Sequence, residues 1–249
     1  MERMKESLGD RMKDFYEGRA CYKLPRRTFT IIRLDGKAFH SYTRGLLRPF
    51  DDRLMNDMDE TAKFLCEEIQ GARLAYVQSD EISILLTDFE DLGTEAWFDG
   101  NIQKMVSVSA SLATGKFNQL RHLGSICPTL PGKLAFFDSR VFTIPYQGEV
   151  ENYFIWRQQD ATRNSITGVA QSLYSHKELA GKNGSQKQEM IFQKGINWND
   201  YAPRYKRGRG VMEEFYEKNG AQRRRWAVVD VPIFSQDKEF FKKIFPVIE

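Results

Sequence analysis

The chain has 249 residues, 41% of them hydrophobic and 29% charged, with a net charge of +3, which describes a folded protein with room for a sizeable core in one large or two small domains. No apolar run approaches the ~20 residues that span a bilayer as a helix, and the charged start, Met1-Glu2-Arg3-Met4-Lys5-Glu6, is unlike a secretory signal. Cys21, Cys66 and Cys127 form no Cys-x-x-Cys pair, so a reduced, cytoplasmic protein without structural zinc and without membrane contact is expected.

Residues 2–17 read as a charged amphipathic helix. Thr28 to Leu34, β-branched and apolar, predicts a first strand. From Asp51 to Gln70, Leu54, Met58, Ala62, Leu65 and Ile69 recur on one helical face. Leu74 to Gln78 and Ile82 to Thr87 are apolar runs separated by Ser79-Asp80, which predicts two strands in a tight hairpin. A second helical region covers Thr94 to Gln119, interrupted near Gly100-Asn101, and Lys133 to Ile144 predicts a fourth strand. This β-α-β-β-α-β series is the split βαβ order of ferredoxin-like folds and of polymerase and nucleotide-cyclase palms, an α+β class that hosts many functions.

The character changes after Pro145. Glu149 to Ser175 reads as a long helix, and Lys177 to Gln193 as another, broken at Gly181-Lys182-Asn183-Gly184. Lys194 to Gly210 is irregular and basic, Arg223-Arg224-Arg225-Trp226 leads into an apolar strand from Ala227 to Phe234, and a helix runs from Asp237 to Ile244. The expected division is a palm-like catalytic core over 1–145, with a helical, basic, RNA-binding part carrying a β-hairpin over 146–249. From His176 to Glu249, fifteen Lys and Arg oppose ten Asp and Glu, whereas the rest is net acidic. A polyanion partner and a mixed solvated surface both satisfy that count.

Two acidic signatures carry the chemistry: Arg33-Leu34-Asp35-Gly36 and Gln78-Ser79-Asp80-Glu81, with Asp35 and Asp80 45 positions apart. Both fall at strand ends, where a core has no use for charge. If strand one lies beside the hairpin, the two carboxylates reach one sheet edge. There they could hold two Mg²⁺ ions about 3.5–4 Å apart for in-line phosphoryl displacement. Asp35 also suits an ordinary Asp-Gly turn, and a solvated turn would tolerate Asp80-Glu81. Gly36 permits close approach of a phosphate, and the backbone amides of Lys37-Ala38-Phe39-His40 could cradle a triphosphate. Walker A, Gly-x-Ser-x-Gly and His-Glu-x-x-His motifs are absent, and His40, His122 and His176 are scattered. Arg157 and Arg163 could contact phosphate or pair with Asp160 along a helix. Arg204, Lys206, Arg207 and Arg209, and Arg223 to Arg225, lie among Tyr201, Tyr205 and Trp226, a mixture suited to RNA.

These residues resemble the tRNA-His guanylyltransferases and the related Thg1-like 3′–5′ polymerases. The matching pieces are Arg33 to His40, Arg48-Pro49-Phe50-Asp51, Tyr76 to Glu81, Trp97-Phe98, Asp138 to Val141, Trp156 to Asp160, Lys187 to Phe192 and Tyr205 to Gly208. The resemblance implies a polymerase palm with an added RNA-binding part, assembled as a homotetramer (a dimer of dimers). It implies nucleotide addition to the 5′ end of tRNA, through activation with ATP and attack by the 3′-hydroxyl of an incoming nucleoside triphosphate such as GTP. By the same resemblance, Asp35 and Asp80 hold two Mg²⁺ with the Gly36 carbonyl, and Glu81 supports them. Asp35, Gly36, Lys37, Ala38, Phe39, His40, Ser79 and Asp80 line the nucleotide. Arg33, Arg48 and Lys104 are catalytic cations, and Arg157, Arg163, Asn164, Lys187, Arg204, Lys206, Arg207 and Arg209 contact tRNA.

One stretch departs from the eukaryotic pattern. Where those members carry His-Ile-Asn-Asn-Leu-Tyr-Asn, this chain reads Thr162-Arg163-Asn164-Ser165-Ile166-Thr167-Gly168, which resembles the bacterial and archaeal Thg1-like branch and its templated repair of tRNA 5′ ends. A nucleotide cyclase on the same topology, and a non-catalytic tRNA-binding protein, are the alternatives. The first would consume triphosphate without RNA, and the second would bind tRNA equally well in EDTA.

Overall fold

Strand β1 (Phe29–Gly36) buries side chains on both faces, and the two faces meet different cores. Ile32 and Leu34 point to one side, Phe29 and Ile31 to the other, as strand alternation requires. The computed structural model describes residues 7–123, 133–237 and 239–246. Within them, β1, β2 (Ala72–Gln78), β3 (Glu81–Leu86), β4 (Phe137–Ile144), β5 (Arg209–Lys218) and β6 (Ala221–Asp230) form one sheet in the order β4-β1-β3-β2-β5-β6. Every neighbouring pair is antiparallel.

Helices α1 (Leu8–Phe15), α2 (Phe39–Tyr42), α3 (Asp52–Glu68) and α4 (Ile102–Leu123) belong to the first part of the chain. Met58, Ala62 and Leu65 of α3, with Met105, Ala113 and Phe117 of α4, cover the Ile32/Leu34 face. Asp51 caps α3 by accepting the Leu54 amide at 2.8 Å. On the opposite face lies α5 (Gln147–Leu173), whose Val150, Tyr153 and Phe154 pack on Ile31, Leu74 and Leu85 together with Phe234, Phe241 and Phe245. The far half of α5 builds a smaller cluster with α6 (His176–Leu179) and α7 (Gly184–Gln193) through Ile166, Val169, Leu179 and Ile191. Helices α8 (Pro203–Arg207) and α9 (Glu239–Lys242) complete the α-helices of the described residues.

The expected β-α-β-β-α-β series is present in chain order, and several boundaries move. Strand one extends through Asp35 and Gly36, because β3 and β4 pair with it to its last residues. The break near Gly100-Asn101 is a 3-10 turn, Trp97–Gly100, before α4, and the break at Gly181 to Gly184 separates α6 from α7, where Asn183 and Gln186 form a capping box. The stretch read as irregular to Gly210 already contains α8 and the start of β5. The strand placed at Ala227 to Phe234 is the end of β6, which begins earlier at Ala221 and stops at Asp230. Residues 2–6 of the first predicted helix and Cys127 lie outside the described residues. No helix among the described residues is long and apolar enough to cross a membrane.

Candidate active site

In β1, Arg33 and Asp35 share the α5 side of the sheet with Ile31, as alternation dictates. The strand register sets Asp35 opposite Glu81 on β3 and opposite Asp138 on β4. Gln78 and Glu81 pair directly, so Ser79 and Asp80 are the two residues of the β2–β3 turn. Ser79 adopts φ +48 there. The Gly36 amide donates to the Asp80 carbonyl at 3.1 Å, which ties the end of β1 to this turn and brings Asp35 beside Asp80. Gly36 has no room for a side chain: a Cβ would lie 2.3 Å from the Phe39 ring.

Electrostatics separate the three carboxylates. Burial raises the Asp80 carboxyl above its ordinary range, a hydrogen bond donated by Ser79 Oγ at 2.9 Å opposes this, and the charges of Asp35 and Glu81 add to the rise. Glu81, 6% exposed, is neutralised by Arg157 of α5: Nε and Nη2 donate to Oε1 and Oε2, both at 2.8 Å. The Arg157 fork also reaches Asp160 at 2.7 Å, and Arg163 holds the other oxygen of Asp160 at 2.8 Å. Ser83 Oγ donates to Glu81 Oε1 at 3.3 Å and lies 2.8 Å from the Tyr153 hydroxyl, whose pKa burial pushes up to about 12. Asp35 and Asp80 are thus the charges at this edge without a cationic side chain bonded to them among the described residues.

A divalent ion fits this arrangement. Mg²⁺ is held by one or two carboxylates and takes its remaining oxygens from water and substrate phosphates. Two crowded carboxylates, one with its charged form disfavoured by burial, supply that donor set. No group of three or more His, Cys, Asp or Glu side chains among the described residues could hold a metal ion, so further oxygens have to come from backbone, water or substrate.

The other expected residues divide. Lys37, Ala38 and His40 are exposed beyond the end of β1, while Phe39 is buried against Tyr42, Phe117 and Phe137. Ala38 takes the left-handed conformation (φ 53), and the Lys37 amide is used by the Phe136 carbonyl at 2.8 Å. Arg33 Nε is buried without a hydrogen-bond partner. Arg48 is exposed, next to Pro49 of a cleft that Ser79 also lines. Lys104 is not brought to the carboxylates: it sits in the first turn of α4, where neighbouring Met105 packs near Thr30 and Leu86, at the opposite end of β1.

Among the residues assigned to tRNA, Arg157 and Arg209 are corrected by burial. Arg157 is taken by Glu81 and Asp160, and Arg209, 3% exposed, donates to Asp59 at 2.7 Å. Both are internal ties with no exposed charge to offer a phosphate. Arg163 and Asn164 are exposed on α5, Lys187 donates to Thr167 at 3.1 Å, and Arg204 donates to Asn56 at 2.9 Å. Lys206 donates to the Asn199 carbonyl at 2.6 Å, and Arg207 is half-buried. Sequence reading assigned no role to Ser83, Tyr153 or Asp138. Their signal is strand register and helix placement, which spacing alone does not carry.

Comparison with known proteins identifies the family. The family model described as Thg1, tRNAHis guanylyltransferase, matches residues 9–145. The tRNA(His) guanylyltransferase of Debaryomyces hansenii is 30% identical over 213 residues, covering 78% of this chain and 77% of its own. That of Schizosaccharomyces pombe is 30% identical, covering 75% and 74%. Among solved structures, a bacterial tRNA(His) guanylyltransferase (Thg1)-like protein in complex with ATP superposes with TM-score 0.85 and 47% identity over 96% of this chain and 99% of that one. The same kind of protein in complex with GTP gives TM-score 0.82 and 45% identity, again over 96% and 99%. The chain belongs to the Thg1 family of tRNA-His guanylyltransferases, and within it stands nearer in sequence to the bacterial Thg1-like protein than to the fungal enzymes.

Proposed function

We propose that the protein adds nucleotides to the 5′ end of tRNA in the 3′–5′ direction, with Mg²⁺ and with ATP and GTP or other nucleoside triphosphates as substrates. The observation that carries this reading is the convergence of Asp35 and Asp80 at the end of β1 and the β2–β3 turn, in a chain 47% identical to a Thg1-like protein in complex with ATP. The strand order β4-β1-β3-β2 supports a palm-like, ferredoxin-type core over 1–145. The basic part over 146–249 serves RNA. A cytoplasmic homotetramer is the assembly that the family resemblance supports.

In this reading Asp35 and Asp80, with the Gly36 carbonyl, hold the ions. Bound there, Mg²⁺ lowers the charge of the triphosphate and of its leaving group and activates the attacking hydroxyl. Lys37, Ala38, Phe39, His40 and Ser79 surround the nucleotide, and Phe39, wedged against Gly36, fixes the turn that presents them. Glu81, held by Arg157, fixes the hairpin and takes no share of the ion. Arg33 and Arg48 face the phosphates; Arg163, Asn164, Lys187, Arg204, Lys206 and Arg207 contact RNA. Two steps follow: the tRNA 5′-monophosphate oxygen attacks the α-phosphate of ATP and releases pyrophosphate, and the 3′-hydroxyl of the incoming nucleotide, losing its proton, then attacks the activated 5′-phosphate and expels AMP.

The test is incorporation of labelled nucleotide, with Mg²⁺, into two 5′-monophosphorylated substrates: a tRNA lacking its first nucleotide, and full-length tRNA-His. Extension of the first to a complete acceptor stem is the expected result, given the sequence of residues 162–168. Asp35→Ala and Asp80→Ala should each lose incorporation by at least about 10³-fold while remaining folded by circular dichroism. Activity retained in either variant refutes the site.

A further inference from the structure

We infer that helix α1 is an assembly arm, whose apolar face seats in the groove between α3 and α4 of a second copy of this chain. The contact is independent of the nucleotide chemistry, and it rests on the homotetramer proposed above, of which it is one interface.

Helix α1 has an apolar face with nothing to cover it. Leu8, Met12, Phe15 and the capping Tyr16 recur at i, i+4, i+7 and i+8, one side of a helix. Yet every residue from Ser7 to Lys23 is exposed, Leu8 by 67% and Tyr16 by 68%. A helix of eight residues is marginal in water by itself, so this one is held by a surface that its apolar face covers. Asp10, Asp14 and Glu17 balance Arg11, Lys13 and Arg19, which leaves the arm no net charge to draw it to RNA or an anionic bilayer.

The matching surface is a groove of about 430 Å³ along α3 and α4. Half-buried Phe64, Val108 and Leu112 line it, with Ser107, Ser111 and Gly115 among them. The Ser107 and Ser111 hydroxyls donate one turn back, to the carbonyls of Gln103 at 2.7 Å and Ser107 at 2.8 Å, so neither needs a hydrogen bond from a ligand. A Cβ at Gly115 would meet nothing within 4 Å. Such a lining accepts the apolar ridge of a helix. At 1.5 Å per residue, α4 runs about 18 Å from Ser107 to Gln119, and α1 is about 12 Å long. Arg11 flanks the apolar face of α1, and Glu67 and Glu68 lie exposed one turn beyond Phe64, so the charges at the rim are complementary.

The arm does not cover the groove of its own chain. Tyr22 and Leu24 are fixed at the start of α4, through the Ile102 amide at 3.0 Å and the Gly100 carbonyl at 2.9 Å. Beyond the 3-10 turn Glu17–Ala20, α1 stays open to solvent. Two copies that exchange arms close an isologous contact. With about 150–250 Å² per aromatic side chain, the exposed parts of Leu8, Met12, Phe15 and Tyr16 come to about 400 Å². Counted on both surfaces and for both arms, that is about 1,600 Å², the size of a stable protein interface.

The test uses the full-length chain. Met12→Asp on the arm and Ser111→Arg in the groove should each reduce the mass in solution, by light scattering, to half that of the wild type or less. Both positions are exposed, so circular dichroism should not change. Two further chains carry Met12→Cys or Ser111→Cys, each with Cys21→Ser and Cys127→Ser. Mixed and treated with a short bismaleimide, they should give a covalent dimer that contains both. These cysteine variants disturb the contact little and so read it even where a charged variant misfolds. A chain carrying both cysteines that links only within itself, with no product from the mixture, overturns the inference and returns the groove to its own arm. Weaker tRNA binding by Met12→Asp at unchanged mass overturns it in favour of RNA. An unchanged oligomer with no cross-linked product overturns it and leaves the homotetramer standing, whereas a monomeric wild type overturns both.

Discussion

Asp80 and Glu81 are consecutive residues with opposite surroundings. Asp80 faces another carboxylate, whereas Glu81 is buried in the two-pronged grip of Arg157. Removing one partner of a buried ion pair costs about 3–5 kcal/mol, because the other charge stays desolvated. Arg157→Met should therefore lower the unfolding free energy by about that amount, and Arg157→Met with Glu81→Gln should recover more than half of it. Urea midpoints of the two variants check this, and equal losses would show that the pair is not what Arg157 contributes. The pairing also marks where sequence reading stops at the level of single residues. Arg157 and Asp160 are visible on one helix face, but Glu81 lies 76 positions away from Arg157, and only the seating of α5 on the sheet brings the two together. A cation near acidic residues in sequence reads equally as a phosphate contact or an internal tie; burial makes the choice.

Helix α5 carries the next consequence. Asp160 accepts from Arg157 and Arg163, each three residues away along the helix. Burial alone would raise its carboxyl, but the Arg163 hydrogen bond and the charge of Arg157 outweigh burial and hold it below the ordinary range. A carboxyl depressed in the folded state adds stability above its unfolded pKa and loses it as pH falls through the folded value. Asp160→Asn should accordingly cost about 1 kcal/mol at pH 7, and the difference from wild type should shrink below about pH 4, where the unfolded carboxyl protonates. Denaturant titrations across that range decide it, since a difference independent of pH would place the effect outside the charge. Helix α3 was legible from spacing because it has one buried face, and the first strands were legible as continuous apolar runs because the sheet is covered on both faces there. Of the β5–β6 ribbon only the apolar end of β6 was legible, for a physical reason. Beyond the sheet its strands carry Glu213–Arg224 and Glu214–Arg225 pairs and an exposed Phe215, so no apolar alternation marks β5, and the arginines read only as a basic run.

Across the whole molecule, the candidate site is a seam where β1, the β2–β3 turn and α5 meet. Asp35, Gly36 and Asp80 were legible because charge at the end of an apolar strand is anomalous in a core. Lys104 rests on a motif match, which carries no position in space; it sits in the first turn of α4, next to Met105, which lines a small cavity with Thr30 and Leu86. The seam offers a metal two carboxylates and little else from side chains, so ion and nucleotide should bind together far better than either alone. A ligand that binds only the folded chain stabilises it by about 2.7 kcal/mol at a hundredfold excess over its Kd. With about 2–4 °C per kcal/mol for a chain of this size, Mg²⁺ plus ATP should raise the melting temperature by about 5–10 °C. Mg²⁺ alone lacks the phosphate oxygens that complete its shell, and ATP in EDTA meets Asp35 and Asp80 as bare like charges, so each should give less than about a third of that rise. Asp35→Asn and Asp80→Asn should abolish the combined shift while leaving the ligand-free protein at least as stable, because each relieves carboxylate crowding at the seam. A full shift with ATP in EDTA would mean that the nucleotide is held by cations elsewhere, and that the two aspartates are not the centre of the site.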